Sequence, residues 1–536
     1  MTLTIEQAVG QKLMLNFEGT KPSTEILETI HARHVGGITL FRALNVESLS
    51  QVRSLTAALQ EAAAQAGQPP LFIAADQEGG QLMAIGDMTL FPGNMALGAA
   101  GSVDLARKTG YALGRELAAM GVNVNYAPVC DVNSNPQNPN IGIRSFGEDT
   151  AMVAHFCAAM VEGLQSSGVA ATAKHFPGHG DASGDPHYGM PVVLHDREHL
   201  AQIEIPPFAA AIEAKVRLIM TTHVAFPNLN EGVALPSTLS PTLLEELLRD
   251  EMGFRGVIIS DAMNMAAIKQ GSGLIVDAIA AVAAGVDLLL LIGDMAVQED
   301  IYSALLQATQ RRVLPPAKMI SSAERVLALK RWLPDVSQPS LDVVGCAEHR
   351  DLAFETAAHS ITLVRDEANL LPLRPSSDAR LAVVVPQPLD LTPADTSSYV
   401  TCTLAEALRQ YHPAVDEFVV PHAPSDADVA ALRQQISDYD TVIVGTINAF
   451  AQPNQVALVK ALLETGVPTI AIALRLPYDL QAYPTAPVYI CTYSILSPSM
   501  EALAQALWGQ IPFVGRLPVS IPELYPLGHG LNTSSS

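Results

Sequence analysis

Two stretches of the chain carry residue types that can do chemistry. KHFPGHGDASGDPHYGMP, residues 174–191, sets His175, His179 and His187 beside Lys174, Asp181 and Asp185 among glycines and prolines. Histidines and carboxylates together can bind zinc, but neither HExxH nor another helical ligand spacing is present, so no metal is expected here. A glycine-rich surface loop with incidental polar residues is the plainest reading. The pair Asp185 and His187, two apart on a tight loop, supports a sharper one. A carboxylate that holds one imidazole nitrogen fixes the tautomer and tunes the basicity, which makes the histidine a usable acid or base. The second stretch, GVIISDAMNMAAI at residues 256–268, ends an apolar strand on Asp261. That carboxylate could cap the following helix, or it could be a nucleophile toward the anomeric carbon of a sugar. Periodicity alone leaves both open.

Such residues need a frame to bring them together. Short apolar runs recur through the first two-thirds of the chain at 36–41, 71–76, 122–129, 168–174, 216–222, 256–261 and 286–292, separated by helix-like stretches. Runs without polar alternation suit strands buried on both faces, as in parallel sheets. Seven of them alternating with helices predict a (β/α)₈ TIM-type barrel over residues 1–333, with the eighth strand near the N-terminus. Asp76, Asp131, His175, His223 and Asp261 fall at or just past five strand ends, which converge on one face of a closed barrel. A single strand-end polar residue is usually a cap; five Asp and His residues converging are harder to explain that way. PDVSQPSLDVVG, 334–345, reads as a linker. Beyond it, over 346–536, five further runs (381–386, 417–420, 441–446, 468–474 and 487–492) predict a smaller three-layer α/β sandwich. No GxGxxG follows any strand, so no dinucleotide and no other cofactor is expected. Apart from the closing Ser534–Ser536, no low-complexity segment stands out.

Composition narrows the classes. The 536 residues are 49% hydrophobic and 16% charged, with a net charge of −23. This excludes intrinsic disorder and argues against nucleic-acid partners and against docking on anionic lipid. The five scattered cysteines form no disulfide framework and read as unpaired core thiols. No signal peptide is visible, which makes the cytoplasm the expected compartment. The window 274–292 imitates a membrane span, but Asp277 and Asp287 make it costly in lipid and Gly285 splits it into a helix-like and a strand-like half, so no membrane span is expected.

Together the blocks FIAADQEGG (72–80), FPGNMALGA (91–99), NYAPVCDVNSNPQNPNIGIRSFGED (125–149), KHFPGHGD with its following DPH, GVIISDAMNM and the closing WGQIPFVGRLPVSIPELYPLGHGL (508–531) resemble glycoside hydrolase family 3. Within it they resemble the bacterial two-domain exo-β-N-acetylglucosaminidases. The resemblance implies a retaining hydrolysis of terminal β-linked GlcNAc from small saccharides or cell-wall fragments. Asp261 would be the nucleophile, and His187, oriented by Asp185, the acid/base. Asp76, Arg144, Lys174 and His175 would bind the terminal sugar, with His223 near the same pocket and Asp131 bracing the loop that carries Arg144. A histidine acid/base is neutral when deprotonated, so a β-N-acetylglucosaminide phosphorylase stays open as an alternative. So do a β-glucosidase of the family and a silent carbohydrate-binding protein. Two departures stand out: Gln81 replaces the arginine of the usual DQEGGR, and Pro186 replaces a small polar residue between Asp185 and His187.

Overall fold

The computed structural model describes residues 3–333 and 338–533. Eight short parallel strands form the first sheet. They are β1 (Leu13–Leu15), β2 (Gly37–Thr39) and β3 (Phe72–Ala75), then, after a small antiparallel hairpin of β4 (Gln77–Gly79) and β5 (Leu82–Met83), β6 (Val124–Asn125), β7 (Ala170–Phe176), β8 (Leu218–Thr221), β9 (Val257–Ile259) and β10 (Leu289–Leu290). The strand order is β10-β1-β2-β3-β6-β7-β8-β9, and a parallel bridge from Ile259 to Leu288 brings the ring round to closure. The predicted barrel is therefore the observed one, with β1 as the strand near the N-terminus.

Alternation along these strands explains why their sequences are apolar throughout. Met14, Phe72, Ala74, Val124, Met220 and Ile259 fill the barrel interior, while Leu13, Ile73, Ile219 and Ile258 pack outward under the helices. Both faces are buried, so neither can be polar. The span-like window resolves as expected into a helix, Ser272–Ala284, and β10, with Gly285 between them at φ 117°, a value only glycine adopts without strain. Among the described residues no helix is long and apolar enough to cross a membrane.

The second sheet has six strands: β11 (Thr362–Asp366), β12 (Leu381–Pro386), β13 (Val415–Val420), β14 (Thr441–Thr446), β15 (Thr469–Ala473) and β16 (Val488–Cys491), in the order β11-β16-β15-β14-β12-β13. Five are the predicted parallel strands. The sixth, β11, runs antiparallel to β16 at the edge and was not expected, because TLVRD turns polar after three residues. Helices cover both faces: Val442, Val444 and Ala471 pack into one core, and Ile443, Ile470 and Ile472 into the other. The expected linker 334–345 falls partly on residues 334–337, which lie outside the described residues, as does the Ser534–Ser536 tail. Four of the five unpaired cysteines are buried; Cys346 is half-exposed and is no core thiol.

The two halves share a continuous seam. Met95, Ala96 and Ile143, from the barrel half, are buried within one core of the second sheet. Asn133 Nδ2 donates to the Tyr478 hydroxyl at 2.8 Å, and the hairpin β4–β5 is clasped by a loop of the second half. There Thr396 donates to the Gln81 carbonyl through both N and Oγ1 at 2.8 Å, and Met83 N donates to Thr396 Oγ1 at 3.2 Å.

Candidate active site

A cavity of about 300 Å³ opens at the C-terminal ends of the barrel strands. Asp76, Asn140, Arg144, Lys174, His175, His187 and Asp261 line it, as do Asp390, Asp395, Thr396 and Tyr399 from the second half. Asp76 follows β3 directly and Asp261 comes two residues after β9; Lys174 and His175 stand near the end of β7. Rigid parallel strands thus deliver four of these groups to one point.

The inner end is an alternating array of charges. Glu78 on β4 accepts from Arg144 Nε and Nη2 at 2.9 and 2.8 Å, and lies 2.6 Å from Lys174 Nζ. Lys174 Nζ also donates to Asp76 Oδ1 at 2.6 Å. Two cations and two carboxylates meet with almost no water around Lys174, Arg144 and Glu78. Burial alone would raise the Glu78 carboxyl, but Arg144 and Lys174 outweigh it and hold it at about 2. The Lys174 ammonium, which burial would lower, is raised by Asp76 and Glu78. Glu78 was not singled out in the sequence. Its only signal was its place two residues after Asp76, within a block that drew attention to Asp76.

The imidazoles are oriented by carboxylates. His187 Nδ1 lies 2.6 Å from Asp185 Oδ1, which also accepts from the His187 backbone N at 2.9 Å and from Asn140 Nδ2 at 3.3 Å. This assigns the Nδ1–H tautomer and leaves Nε2 to the cavity. Asn140 Oδ1 accepts from Arg144 Nη1 at 2.8 Å, so one amide ties the charge array to the Asp185–His187 pair. Burial opposes ionisation of Asp185, yet its hydrogen bonds with His187 hold the carboxyl below its ordinary value. His175 Nδ1 lies 2.7 Å from Asp131 Oδ2, and its Nε2 lies 3.5 Å from Arg144 Nη2.

Asp261 accepts from the Ala262 backbone N at 2.7 Å. Burial would raise its carboxyl, but the nearby imidazoles of His175, His223 and His187 and that N–H hold it below the usual value. The loop after Asp261 is tied to the His187 loop, because Ala267 N donates to the Pro186 carbonyl at 3.1 Å. Pro186 lacks an N–H but uses its acceptor to join the two loops.

Two expectations are corrected. His223 does not line the cavity. It is fully buried, with Nδ1 2.8 Å from Thr238 Oγ1 and Nε2 3.1 Å from the Ala262 carbonyl, so both nitrogens are engaged behind Asp261. Burial lowers its pKa, in keeping with a neutral ring. Asp131 does not chiefly brace the Arg144 loop. Its carboxylate holds His175 and the His179 backbone N (2.8 Å), and only its carbonyl, accepting from Ser145 Oγ at 2.6 Å, reaches the Arg144 side.

A closed parallel barrel with a polar cavity at its C-terminal face, a strand-end carboxylate and a carboxylate-held imidazole defines a barrel enzyme suited to a hydroxyl-rich ligand. Residues 4–329 match the glycosyl hydrolase family 3 N terminal domain and residues 361–531 the family's C-terminal domain. The chain belongs to glycosyl hydrolase family 3. It is 34% identical to the beta-hexosaminidase A of Pseudoalteromonas piscicida, over 97% of each chain. It is 31% identical to a beta-N-acetylglucosaminidase/beta-glucosidase of Cellulomonas fimi, over 91% of this chain and 88% of that one. Among solved structures, a family 3 beta-N-acetylglucosaminidase from Paenibacillus sp. str. FPU-7 superposes with a TM-score of 0.92 at 37% identity, covering 97% of this chain and 99% of the other.

Proposed function

We propose that this protein is a retaining exo-β-N-acetylglucosaminidase that removes terminal β-linked GlcNAc from small saccharides or cell-wall fragments. The observation that carries the reading is the 2.6 Å Asp185–His187 contact in the cavity that Asp261 also lines. In the first step the Asp261 carboxylate attacks the anomeric carbon while His187, protonated on both nitrogens, gives its Nε2 proton to the departing oxygen. Asp185 stabilises the imidazolium. In the second step neutral His187 takes a proton from water as that water attacks the same carbon, freeing the sugar and restoring Asp261. Asp76, Arg144, Lys174 and His175 bind hydroxyls of the terminal sugar. Ion pairs between Lys174 and Asp76 and from Glu78 to Arg144 and Lys174, with the Asp131 contact to His175, fix them before substrate arrives, so little ordering is left to binding.

Within this proposal the catalytic unit spans residues 1–333, the linker 334–345 and the second domain 346–536. The enzyme works in the cytoplasm, a reading supported by its unpaired cysteines. The test is release of nitrophenol from 4-nitrophenyl β-N-acetylglucosaminide and from the matching β-glucoside, each with and without inorganic phosphate. Preference for the acetamido sugar, independent of phosphate, is expected. Phosphate-dependent formation of a sugar 1-phosphate, or faster glucoside turnover, overturns the reading. Asp261→Asn should abolish turnover in a folded protein.

A further inference from the structure

One wall of the cavity takes no part in holding the terminal sugar as proposed above. Arg42, on the short helical turn Arg42–Asn45 after β2, and Tyr399, from the second half, meet there. The guanidinium carbon stands 4.2 Å from the centre of the Tyr399 ring. Gly86 leaves room for the same guanidinium, since a Cβ at that position would fall within 2.2–2.8 Å of its atoms. Stacking on Tyr399 holds Arg42, which has no ion-pair partner among the described residues. Its Nη1 donates to the Met83 carbonyl, at a long 3.5 Å. Most of its N–H groups remain available to a ligand. The Tyr399 ring is 53% exposed beside it.

We propose that Arg42 and Tyr399 form the subsite for the second sugar of the substrate, and that this sugar is uncharged. The inference rests on the glycosidase reading above and narrows its substrates to small saccharides without an acidic second sugar. A planar guanidinium fixed against a ring offers N–H donors to hydroxyl or amide oxygens, and an exposed aromatic surface suits the C–H face of a pyranose. The local charge selects against an anionic sugar. Asp87 and Asp390 both act on Arg42, two carboxylates against one cation. Gln81 stands where the family usually carries arginine, so no cation comes from that position. Its amide is engaged by the Ala394 carbonyl at 3.0 Å and by Arg475. Arg475, which reaches Gln81 from the second half, is neutralised by Asp395 at 2.7 Å. That buried pair and the Gln81–Thr396 hydrogen bonds fix the loop 390–399, which makes Tyr399 a built feature of the cavity.

The test compares kcat/KM for N,N′-diacetylchitobiose, for methyl β-N-acetylglucosaminide, whose one-carbon aglycone does not extend to the wall, and for a disaccharide whose second sugar bears a lactyl carboxylate. The parent should prefer chitobiose to the carboxylated disaccharide at least tenfold at low ionic strength, with the gap narrowing as salt rises. Arg42→Ala and Tyr399→Ala should each lower the ratio of chitobiose to methyl glycoside efficiency about tenfold or more, and Tyr399→Phe should retain it. An unchanged ratio in both alanine variants removes the subsite. Equal or better turnover of the carboxylated disaccharide by the parent removes the claim of neutrality. If the parent cleaves none of the three, the glycosidase reading itself has failed.

Discussion

Glu78→Gln tests the charge array, because it keeps the side chain's shape while removing its charge and turning one acceptor into a donor that faces other donors. In the parent, Glu78 stands between Arg144 and Lys174 with contacts of 2.6–2.9 Å and is almost fully buried. Its carboxyl is held at about 2 against an ordinary 4.5. At 1.36 kcal/mol per pH unit of displacement, the native environment favours the ionised form by about 3 kcal/mol. Because the folded value is depressed, that stability is fully present above pH 4.5 and is lost as pH falls toward 2. In the variant Lys174 keeps only Asp76 and Arg144 loses its ion-pair partner, and breaking such a buried arrangement typically costs ~3–5 kcal/mol. We expect the first unfolding transition in guanidinium at pH 7 to lose about 3 kcal/mol, with the difference from the parent shrinking between pH 4.5 and 2. Arg144 and Lys174 also lose their shared anchor, so kcat/KM on 4-nitrophenyl β-N-acetylglucosaminide should fall about 100-fold, as small misplacements do. A variant within 0.5 kcal/mol and twofold of the parent would refute the view that Glu78 organises the site.

Two further outcomes rest on other groups. Asp261 and Asp185 are both held below the ordinary carboxylate value, so the acid limb of kcat/KM should lie below that of a free carboxylate, since each carboxylate is lost only as pH falls through its lowered value. A pH profile with that limb above pH 5 contradicts the assignment. At the base of the barrel, Lys330 is buried with no hydrogen-bond partner for Nζ among the described residues; Nζ sits 5.2 Å from the centre of the Phe72 ring, and burial pushes the amine down to about 7. The folded state disfavours its charge, so stability from this group rises between pH 7 and 10, and Lys330→Met should stabilise the protein at pH 7 by about 1–4 kcal/mol. A destabilised variant, by thermal unfolding, contradicts this.

Which parts of this structure were legible in the sequence follows from the range of the forces involved. Strands buried on both faces write themselves as apolar runs, so the barrel and five strands of the second sheet could be read directly. An edge strand packs on fewer neighbours; β11 has only two apolar residues, Leu363 and Val364, and escaped notice. The Asp185–His187 pair is local, two residues apart on one loop, and its contact follows from that spacing. His223 shows the limit of a strand-end argument. Position after β8 brings a residue to the correct face, but whether it lines the cavity depends on Thr238 and on the carbonyl of Ala262, which come from other loops.

The residues that sequence reading passed over are those whose partners lie far along the chain. Glu78 gains its meaning from Arg144, on the loop after β6, and from Lys174, on β7. Gln81 looked like the loss of a cation from the barrel half. In the folded protein a cation does stand beside it, but Arg475 supplies it from the end of β15, and Asp395 neutralises it. The substitution therefore moves the positive charge across the seam and into an ion pair that anchors the loop carrying Tyr399. A barrel deprived of the second half would keep Asp261, Asp185 and His187 yet lose the wall facing Arg42. Under the proposed function the second half acts on which glycosides are accepted, while the proposed chemistry belongs to the barrel.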